Sequence, residues 1–224
     1  MNTVLVVAAH PDDEVLGCAG TIALHNQSGD QVHVLFLADG EQSRPAHQQQ
    51  QSARQAAARA AGEALGVTSV QFLSFADNAM DSVPILQIVQ AIEPVIAQLA
   101  PDTIYTHFGG DLNIDHRISY QAVLTACRPQ PGHSVRRIYC FEVPSSTEWA
   151  AQSGPVFRPT LFIDTHSVQD KVEAALHCYA IELRPFPHAR SMQAILARQQ
   201  LRGSSVGLPL AEAFMIEREL RAKP

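Results

Sequence analysis

The chain has 224 residues, of which 46% are hydrophobic and 17% charged, and its formal net charge at pH 7 is −6. This balance is that of an ordinary globular protein and excludes disorder as the general state of the chain. The acidic charge, together with the lack of any basic run in the sequence, argues against a nucleic-acid-binding protein.

The sequence predicts a soluble, cytoplasmic protein that forms one domain over residues 1–224. The apolar run near the N-terminus is short and follows no basic segment, unlike a signal peptide. No run in the sequence approaches the ~20 apolar residues that span a bilayer. The four cysteines lie far apart and form no CxxC pair, so they predict neither a zinc knuckle nor a disulfide framework.

Hydrophobic patterning predicts alternating strands and helices. The predicted strands are Thr3–Ala9, Val32–Ala38, Val70–Phe75, Thr103–His107, Arg137–Val143 and Thr160–Asp164. The predicted helices are Glu14–Asn26, Gln48–Leu65, Pro84–Leu99, His116–Cys127, Val168–Ile181, Ala189–Leu201 and Ala211–Arg221. Because strand and helix alternate regularly as far as Cys127, we expect an open α/β sheet that is largely parallel.

The first predicted strand ends in HPDDE, from His10 to Glu14. Ligands of open α/β proteins bind at the carboxyl ends of the strands, and a dinucleotide-binding protein would show GxGxxG here. His10 and Asp13 can turn inward together and offer nitrogen and oxygen to a metal such as zinc. Asp12, between them, is then free to take a proton from a water molecule. The alternative is an acidic helix N-terminus, which explains any one carboxylate but not His10.

A second polar cluster follows the predicted strand Thr103–His107 and contains Asp111, Asn113, Asp115 and His116. A catalytic zinc site takes three protein ligands and leaves one position open, and this cluster can supply the third ligand. The alternative is that Asn113 or Asp115 caps a helix and that His116 is an ordinary surface residue. Two ligand-type clusters at the same end of one predicted sheet favour the metal site.

The segments AHPDDEVLGCAGTIA and THFGGDLNIDHR resemble the PIG-L/LmbE-like family of zinc-dependent N-deacetylases. EVPSSTEW, PHARS and AEAF resemble a bacterial branch of that family, so the resemblance covers nearly the whole chain. It implies a Rossmann-like three-layer sandwich with a mostly parallel central sheet. It also implies that His10, Asp13 and His116 bind one Zn²⁺ per chain, another divalent metal being possible, and that Asp12 is the general base.

One position departs from the family pattern. Many members carry a second histidine three residues before the last ligand, where this chain has Asn113. The candidates to stabilise the oxyanion or to protonate the amine in its place are His107, Asp111 and His188. His188 and Arg190 follow Pro-Phe-Pro, and we interpret them as the rim of the active site, a structural turn being the alternative.

Other candidate roles concern the substrate and the metal ligands. Arg44 and Arg54 follow the second strand, where they could clamp a phosphate, although Arg54 can equally be a solvated helix residue. Asp77 is a candidate for recognising a hydroxyl or for capping, and Glu142 belongs to a polar loop suited to a sugar. Asp115 is expected to orient the adjacent imidazole of His116, because metal-bound histidines need such a partner.

These residues lead to three hypotheses of function. The favoured one is a zinc hydrolase that removes the acetyl group from a small N-acetylated amino sugar or nucleotide-linked sugar and releases acetate and a free amine. The second is a zinc amidohydrolase acting on a thiol conjugate or another acyl-amine, and the third is a non-catalytic sugar-binding α/β module. None of the three involves nucleic acid or membrane insertion, and a homo-oligomer is possible.

Overall fold

The computed structural model of the protein describes residues 1–38 and 48–221, with the side chains from residue 53 onward in the second range. The strands in this part of the chain are β1 (Thr3–Ala8), β2 (Gln31–Ala38), β3 (Ser69–Phe75), β4 (Thr103–His107), β5 (Arg137–Phe141), β6 (Leu161–Asp164) and β7 (Ala211–Glu219). The helices are α1 (Asp13–Gln27), α2 (Gln48–Leu65), α3 (Ile85–Leu99), α4 (Ile114–Ala126), α5 (Gln169–Cys178) and α6 (Met192–Ser204). Within the described ranges, none of these helices combines the length and the apolar character that crossing a membrane requires.

The strands form one seven-stranded sheet in the order β3-β2-β1-β4-β5-β7-β6. The first five strands of this order run parallel, and β7 is antiparallel to both of its neighbours. Successive residues of β1 face opposite sides, so Val4 and Val6 join one hydrophobic core while Leu5 and Val7 join the other. Helices α1, α2 and α5 cover the first core and α3 and α4 the second. The predicted three-layer α/β fold is therefore confirmed.

The predicted helix Ala211–Arg221 is wrong, because this segment forms strand β7. Its alanines, glutamates and leucine favour a helix, but propensity is a weak guide when tertiary pairing is available. Phe214 pairs with Phe141 of β5 on one side and with Leu161 of β6 on the other, and its side chain is fully buried. Pairing along both edges therefore decides the conformation. The other predicted strands and helices are present, with ends that differ by a few residues.

Helix α1 is interrupted at Cys18, whose backbone is not helical (φ −155°, ψ 28°). At such a break, backbone N–H groups lack carbonyl acceptors within the helix. Two of the N–H groups after Cys18 donate instead to a buried carboxylate of β7. Glu212 accepts hydrogen bonds from the N–H groups of Gly20 (2.7 Å) and Thr21 (2.8 Å) and from the Thr21 hydroxyl (2.7 Å). Burial raises the pKa of Glu212 to about 7, although these hydrogen bonds oppose the shift. Strand β7 thus fixes the second half of α1.

Candidate metal centre

His10, Asp13 and His116 meet at the carboxyl ends of β1 and β4. Oδ2 of Asp13 lies 3.3 Å from Nδ1 of His10 and 3.3 Å from Nε2 of His116. One possible ligand atom from each residue lies within 4.8 Å of the others, and all three side chains are buried. The turn between β1 and α1 is closed by a hydrogen bond from the backbone N–H of His10 to Oδ2 of Asp13 (2.9 Å). His116 reaches the same point from the first turn of α4.

These three residues fit a divalent metal ion. Oδ1 of Asp13 is buried and has no hydrogen-bond partner among the described residues, as expected for a carboxylate placed to bind a cation. Burial opposes a charge on His116, but Asp13 and Asp111 outweigh it and raise its pKa to about 9. The protein therefore balances these carboxylates with a proton, and a divalent cation can balance them instead. Two nitrogens and one oxygen suit zinc or a similar borderline metal.

A second group of carboxylates holds the far side of the His10 ring. Nε2 of His10 lies 3.0 Å from Oδ1 of Asp77 and 3.0 Å from Oδ2 of Asp115. Asp115 is itself fixed by the backbone N–H groups of Asn78 (2.7 Å) and Met80 (3.0 Å). A carboxylate on the second nitrogen of a metal-binding histidine sets its tautomer and orientation. Asp77, predicted as a substrate-binding candidate, thus contacts the His10 ring.

The prediction that Asp115 orients His116 is wrong. Adjacent residues of a helix point about 100° apart, so Asp115 faces His10 while His116 faces Asp13. Asp111 is the carboxylate beside His116, with 3.1 Å between Oδ1 and Nδ1. Asn113 caps α4 by accepting a hydrogen bond from the N–H of Asp115 (2.8 Å), which agrees with the capping alternative for this residue.

Asp111 is held as an ionised hydrogen-bond acceptor. The hydroxyl groups of Ser146 and Thr147 donate to its carboxylate, as does the backbone N–H of Asn113 (2.9 Å). Burial would raise the pKa of Asp111, but the close contact and charge of His116 and the hydrogen bonds from Ser146 and Thr147 lower it overall. As a candidate acid it therefore has no proton to give at neutral pH.

His107 is fully buried beside His116, one of the three candidate ligands. Its ring stacks on that of His116 with 4.0 Å between centroids, and its Nε2 accepts a hydrogen bond from the N–H of Ala9 (2.8 Å). Burial lowers the pKa of His107 to about 3, so the ring is neutral. His188 is half-buried, with its ring edge-on to Trp149 at 5.7 Å and its Nδ1 accepting from the N–H of Arg190 (3.0 Å).

Asp12 lies next to the metal ligands but turns its carboxylate toward Arg190, with 2.7 Å between Oδ2 and Nη1. Its backbone has a positive φ (124°), a strained conformation for a residue other than glycine. The backbone N–H of Asp12 donates to Glu14 (3.1 Å), which in turn accepts from the hydroxyl of Tyr179 (2.7 Å). Burial raises the pKa of Asp12 to about 7, although the charge of Arg190 lowers it.

The predicted substrate-binding residues are mostly paired within the protein. Arg54 lies 2.6 Å from Oε1 of Glu182. Glu142 accepts two hydrogen bonds from Arg202 (2.7 and 2.8 Å) and one from Arg198 (3.2 Å), which ties the end of β5 to α6. Arg44 lies outside the described residues.

From the sequence, Arg190 is predicted at the rim of the site without a further function, Ser145 belongs to the polar loop that begins at Glu142, and Glu182 has no predicted role. Nε of Arg190 donates to the Ser145 hydroxyl (2.7 Å), and Glu182 lies 3.7 Å from Nη1 of the same guanidinium. The PHARS segment was the available signal for Arg190. The EVPSSTEW segment was the signal for Ser145, but its contact with Arg190, 45 positions away, is not visible in the sequence. Glu182 lies in no motif of the sequence.

Comparison with known proteins identifies the family of this fold and site. Residues 5–127 match the PIG-L family, described as GlcNAc-PI de-N-acetylase. The chain is 31% identical over 207 residues to a 4-oxalmesaconate hydratase of Pseudomonas putida, covering 80% of this chain and 75% of that protein. It is 28% identical over 159 residues to YaiS, an uncharacterised deacetylase of Escherichia coli, covering 69% and 80%. The chain therefore belongs to the PIG-L family, and its relatives include both deacetylases and a hydratase.

A solved structure agrees with this assignment at the level of the fold. The N,N'-diacetylchitobiose deacetylase from Pyrococcus horikoshii superposes with a TM-score of 0.77 at 16% identity, covering 97% of this chain and 84% of that chain. Because the similarity covers 97% of this chain, it is not confined to the parallel part of the sheet.

Proposed function

We propose that the protein is a metal-dependent hydrolase that removes the acetyl group from an N-acetylated amino sugar or nucleotide-linked sugar. One observation carries the proposal: a buried triad of His10, Asp13 and His116 lies beside a further carboxylate, Asp12, which points away from it. A zinc ion bound by the triad would polarise the amide carbonyl and lower the pKa of a coordinated water. We propose one such ion per chain, with a cytoplasmic location for the protein.

In this proposal Asp12 takes the proton from the attacking water and returns it to the departing amine, so that acetate and a free amine leave. General acid–base catalysis of this kind contributes roughly 10²–10⁴-fold to a rate. Asp77 and Asp115 keep Nδ1 of His10 directed toward Asp13 by holding the opposite nitrogen. Asp111 does the same from the far side of His116.

Two further observations support a sugar amide as substrate. The deacetylases among the relatives include one named for N,N'-diacetylchitobiose, an N-acetylated sugar. The exposed ring of Trp149 stands at the end of the turn whose Thr147 binds Asp111, so an aromatic surface is fixed relative to the metal ligands. Aromatic faces of this kind pack well against the apolar face of a bound molecule.

A second candidate function is the addition of water to a carbon–carbon double bond. It is favoured by the 31% identity with the 4-oxalmesaconate hydratase, which is higher than the identity with YaiS. Such a reaction also needs a base that removes a proton from water, and Asp12 can fill that role. The two functions differ in the bond that is attacked, so they are separated by their products.

The test uses the zinc-loaded protein, Asp12→Asn and the control Asp81→Asn, whose aspartate is exposed and distant in sequence from the triad. Acetate release is measured with a panel of free and nucleotide-linked N-acetyl sugars, and hydration is measured with 4-oxalmesaconate. We expect acetate from the wild type and from Asp81→Asn. In Asp12→Asn we expect a rate about 10²–10⁴-fold lower with the metal content unchanged. Hydration of 4-oxalmesaconate without acetate release from any sugar would replace the deacetylase with the second candidate.

A further inference from the structure

We propose that Arg190 is a positioning residue that holds Asp12 away from the metal ion, so that Asp12 stays a base instead of becoming a fourth protein ligand. The role of Asp12 as base rests on the proposed function. The restraint itself concerns only the position of one carboxylate and can be tested without a substrate.

Arg190 and Asp12 are in direct contact. Nη1 of Arg190 donates to Oδ2 of Asp12 at 2.7 Å, and the Asp12 side chain is buried. Within the part of the chain that the structure describes, this is the one hydrogen bond that the Asp12 carboxylate accepts. The pair thus fixes the carboxylate through Oδ2.

Asp12 needs such a restraint because it could otherwise bind the metal ion. Asp12 and Asp13 are adjacent and both are buried, yet Asp13 alone contributes an atom to the triad. A carboxylate is a good ligand for zinc, and a fourth protein ligand would close the open position that a catalytic site keeps for water. Without Arg190, the strongest positive charge near a buried Asp12 would be the metal ion itself.

Arg190 is itself held by neighbouring side chains before any substrate binds. Its Nε donates to the hydroxyl of Ser145 at 2.7 Å, and Glu182 lies 3.7 Å from Nη1. Glu182 is itself paired with Arg54 of α2 at 2.6 Å. A row of alternating charges therefore runs from Arg54 of α2 through Glu182 and Arg190 to Asp12. Each guanidinium contacts at least one carboxylate. A planar guanidinium held at two of its nitrogens keeps its orientation, which a lysine cannot reproduce.

The backbone of Asp12 is held separately, so the side chain is the part that Arg190 controls. Glu14 accepts a hydrogen bond from the N–H of Asp12 and is anchored by Tyr179. Removing Arg190 therefore leaves the strained turn in place and frees the carboxylate to rotate toward the metal ligands.

The experiment compares wild type, Arg190→Gln, Arg190→Lys and Arg184→Gln, each stripped of metal and loaded with Co²⁺. Arg184 is a matched control, because it is exposed on the same segment and, among the described residues, donates to the backbone carbonyls of Ile181 and Leu183. The visible absorption of bound Co²⁺ changes in position and intensity when one of its ligands is exchanged for another. Metal content, thermal unfolding, kcat and KM for acetate release complete the comparison.

We expect Arg190→Gln to bind a full equivalent of Co²⁺ with a visible spectrum that differs from that of the wild type, because the freed Asp12 takes the open position among the ligands. Its kcat for acetate release should fall about 10–100-fold, the usual cost of losing a residue that orients a metal site, with KM little changed. Arg190→Lys should show a smaller change in the same direction, and Arg184→Gln should match the wild type. A wild-type spectrum and kcat in either Arg190 variant would overturn the proposal.

The outcome for Arg190 is distinguishable from the outcome for the proposed function. If the wild type releases no acetate but Arg190→Gln still changes the Co²⁺ spectrum, the deacetylase is wrong and the restraint on Asp12 stands. If the wild type releases acetate and the spectrum of Arg190→Gln is unaltered, the deacetylase stands and the restraint is wrong.

Discussion

Two clusters of histidine and aspartate lie at opposite ends of helix α1, and they differ in how completely their polar atoms are paired. At the C-terminal end, Nδ1 of His25 lies 2.9 Å from Asp30 and Nε2 lies 3.0 Å from the hydroxyl of Tyr105. Both ring nitrogens therefore have one partner each. At the N-terminal end, His10 faces three carboxylates, and Oδ1 of Asp13 has no hydrogen-bond partner within the described residues.

The difference shows that residue types alone do not define a metal site. The cluster around His25 is a closed set of hydrogen bonds that ties α1 to β4, and such a set stabilises the fold without needing a ligand. The cluster around His10 contains more carboxylates than imidazoles, and Oδ1 of Asp13 in it has no hydrogen-bond partner within the described residues. We therefore expect substitutions at one end to affect metal binding and those at the other to affect stability alone.

The largest expected effect is that of His116→Ala. Removing one of three ligands should lower zinc affinity by more than the 10–100-fold that loss of an orienting partner costs, and acetate release should disappear with it. Elemental analysis of the dialysed protein measures the zinc per chain. His177→Ala, at an exposed histidine of α5, is the control and should keep its zinc. If His116→Ala kept its full zinc content, His116 would not be a ligand, and the two clusters would not differ in metal binding.

Glu212 bears on both clusters, because it fixes α1, the helix that connects them. Its pKa is about 7 in the folded protein against an ordinary value of 4.5, so between these pH values the folded state keeps a proton that the unfolded state has lost. The stability that Glu212 contributes is therefore fullest below pH 4.5 and declines as the pH rises to about 7. This decline amounts to roughly 3 kcal/mol.

Urea unfolding of wild type and Glu212→Gln at pH 5 and pH 8 measures this contribution. We expect the difference between the two free energies of unfolding to fall by about 3 kcal/mol from pH 5 to pH 8, because the variant has no group that ionises at this position. A difference that is the same at both pH values would contradict the prediction.

Asp115→Asn tests the orienting carboxylate at the metal end with a smaller perturbation. The amide keeps the shape of the side chain but removes the charge that faces Nε2 of His10. Zinc affinity should fall about 10–100-fold, as measured by competition with a chelator. Asp81→Asn, at an exposed site, should leave the affinity unchanged. An unaltered affinity in Asp115→Asn would show that Asp77 orients His10 alone.

The smallest effect is expected for His25→Phe. The substitution removes one hydrogen bond from the hydroxyl of Tyr105 and one from the carboxylate of Asp30, which still accepts from Asn2, at a cost of about 1 kcal/mol in the free energy of unfolding. Zinc content and kcat should match the wild type, which elemental analysis and the acetate assay can check. Loss of zinc here would mean that the two ends of α1 are not independent.

The parallel half of the fold was predictable from the sequence, because buried parallel strands are continuous apolar runs and the helices between them have clear starts and stops. The triad was predictable for a related reason. His10, Asp13 and His116 follow strands that end at the same edge of the sheet, so topology alone brings them together. The resemblance of HPDDE and DHR to the family pointed to the same residues.

The rest depended on contacts that no local pattern contains. Strand β7 has the composition of a helix, and it becomes a strand because β5 and β6 offer it two edges. Asp115 is next to His116 in sequence, yet the geometry of the helix turns it to His10. The ion pair of Arg190 with Asp12 joins residues 178 positions apart, and nothing near either residue signals it.

The carboxylate of Glu212 also has a consequence for how the protein folds. It lies 192 positions from Gly20, so the second half of α1 acquires its acceptor only when two distant parts of the chain have met. Contacts of such long sequence separation close late and slow folding. During synthesis, the segment from His10 to Asp13 leaves the ribosome long before β7 exists. We therefore expect full metal binding to develop only after the sheet has been completed around β7.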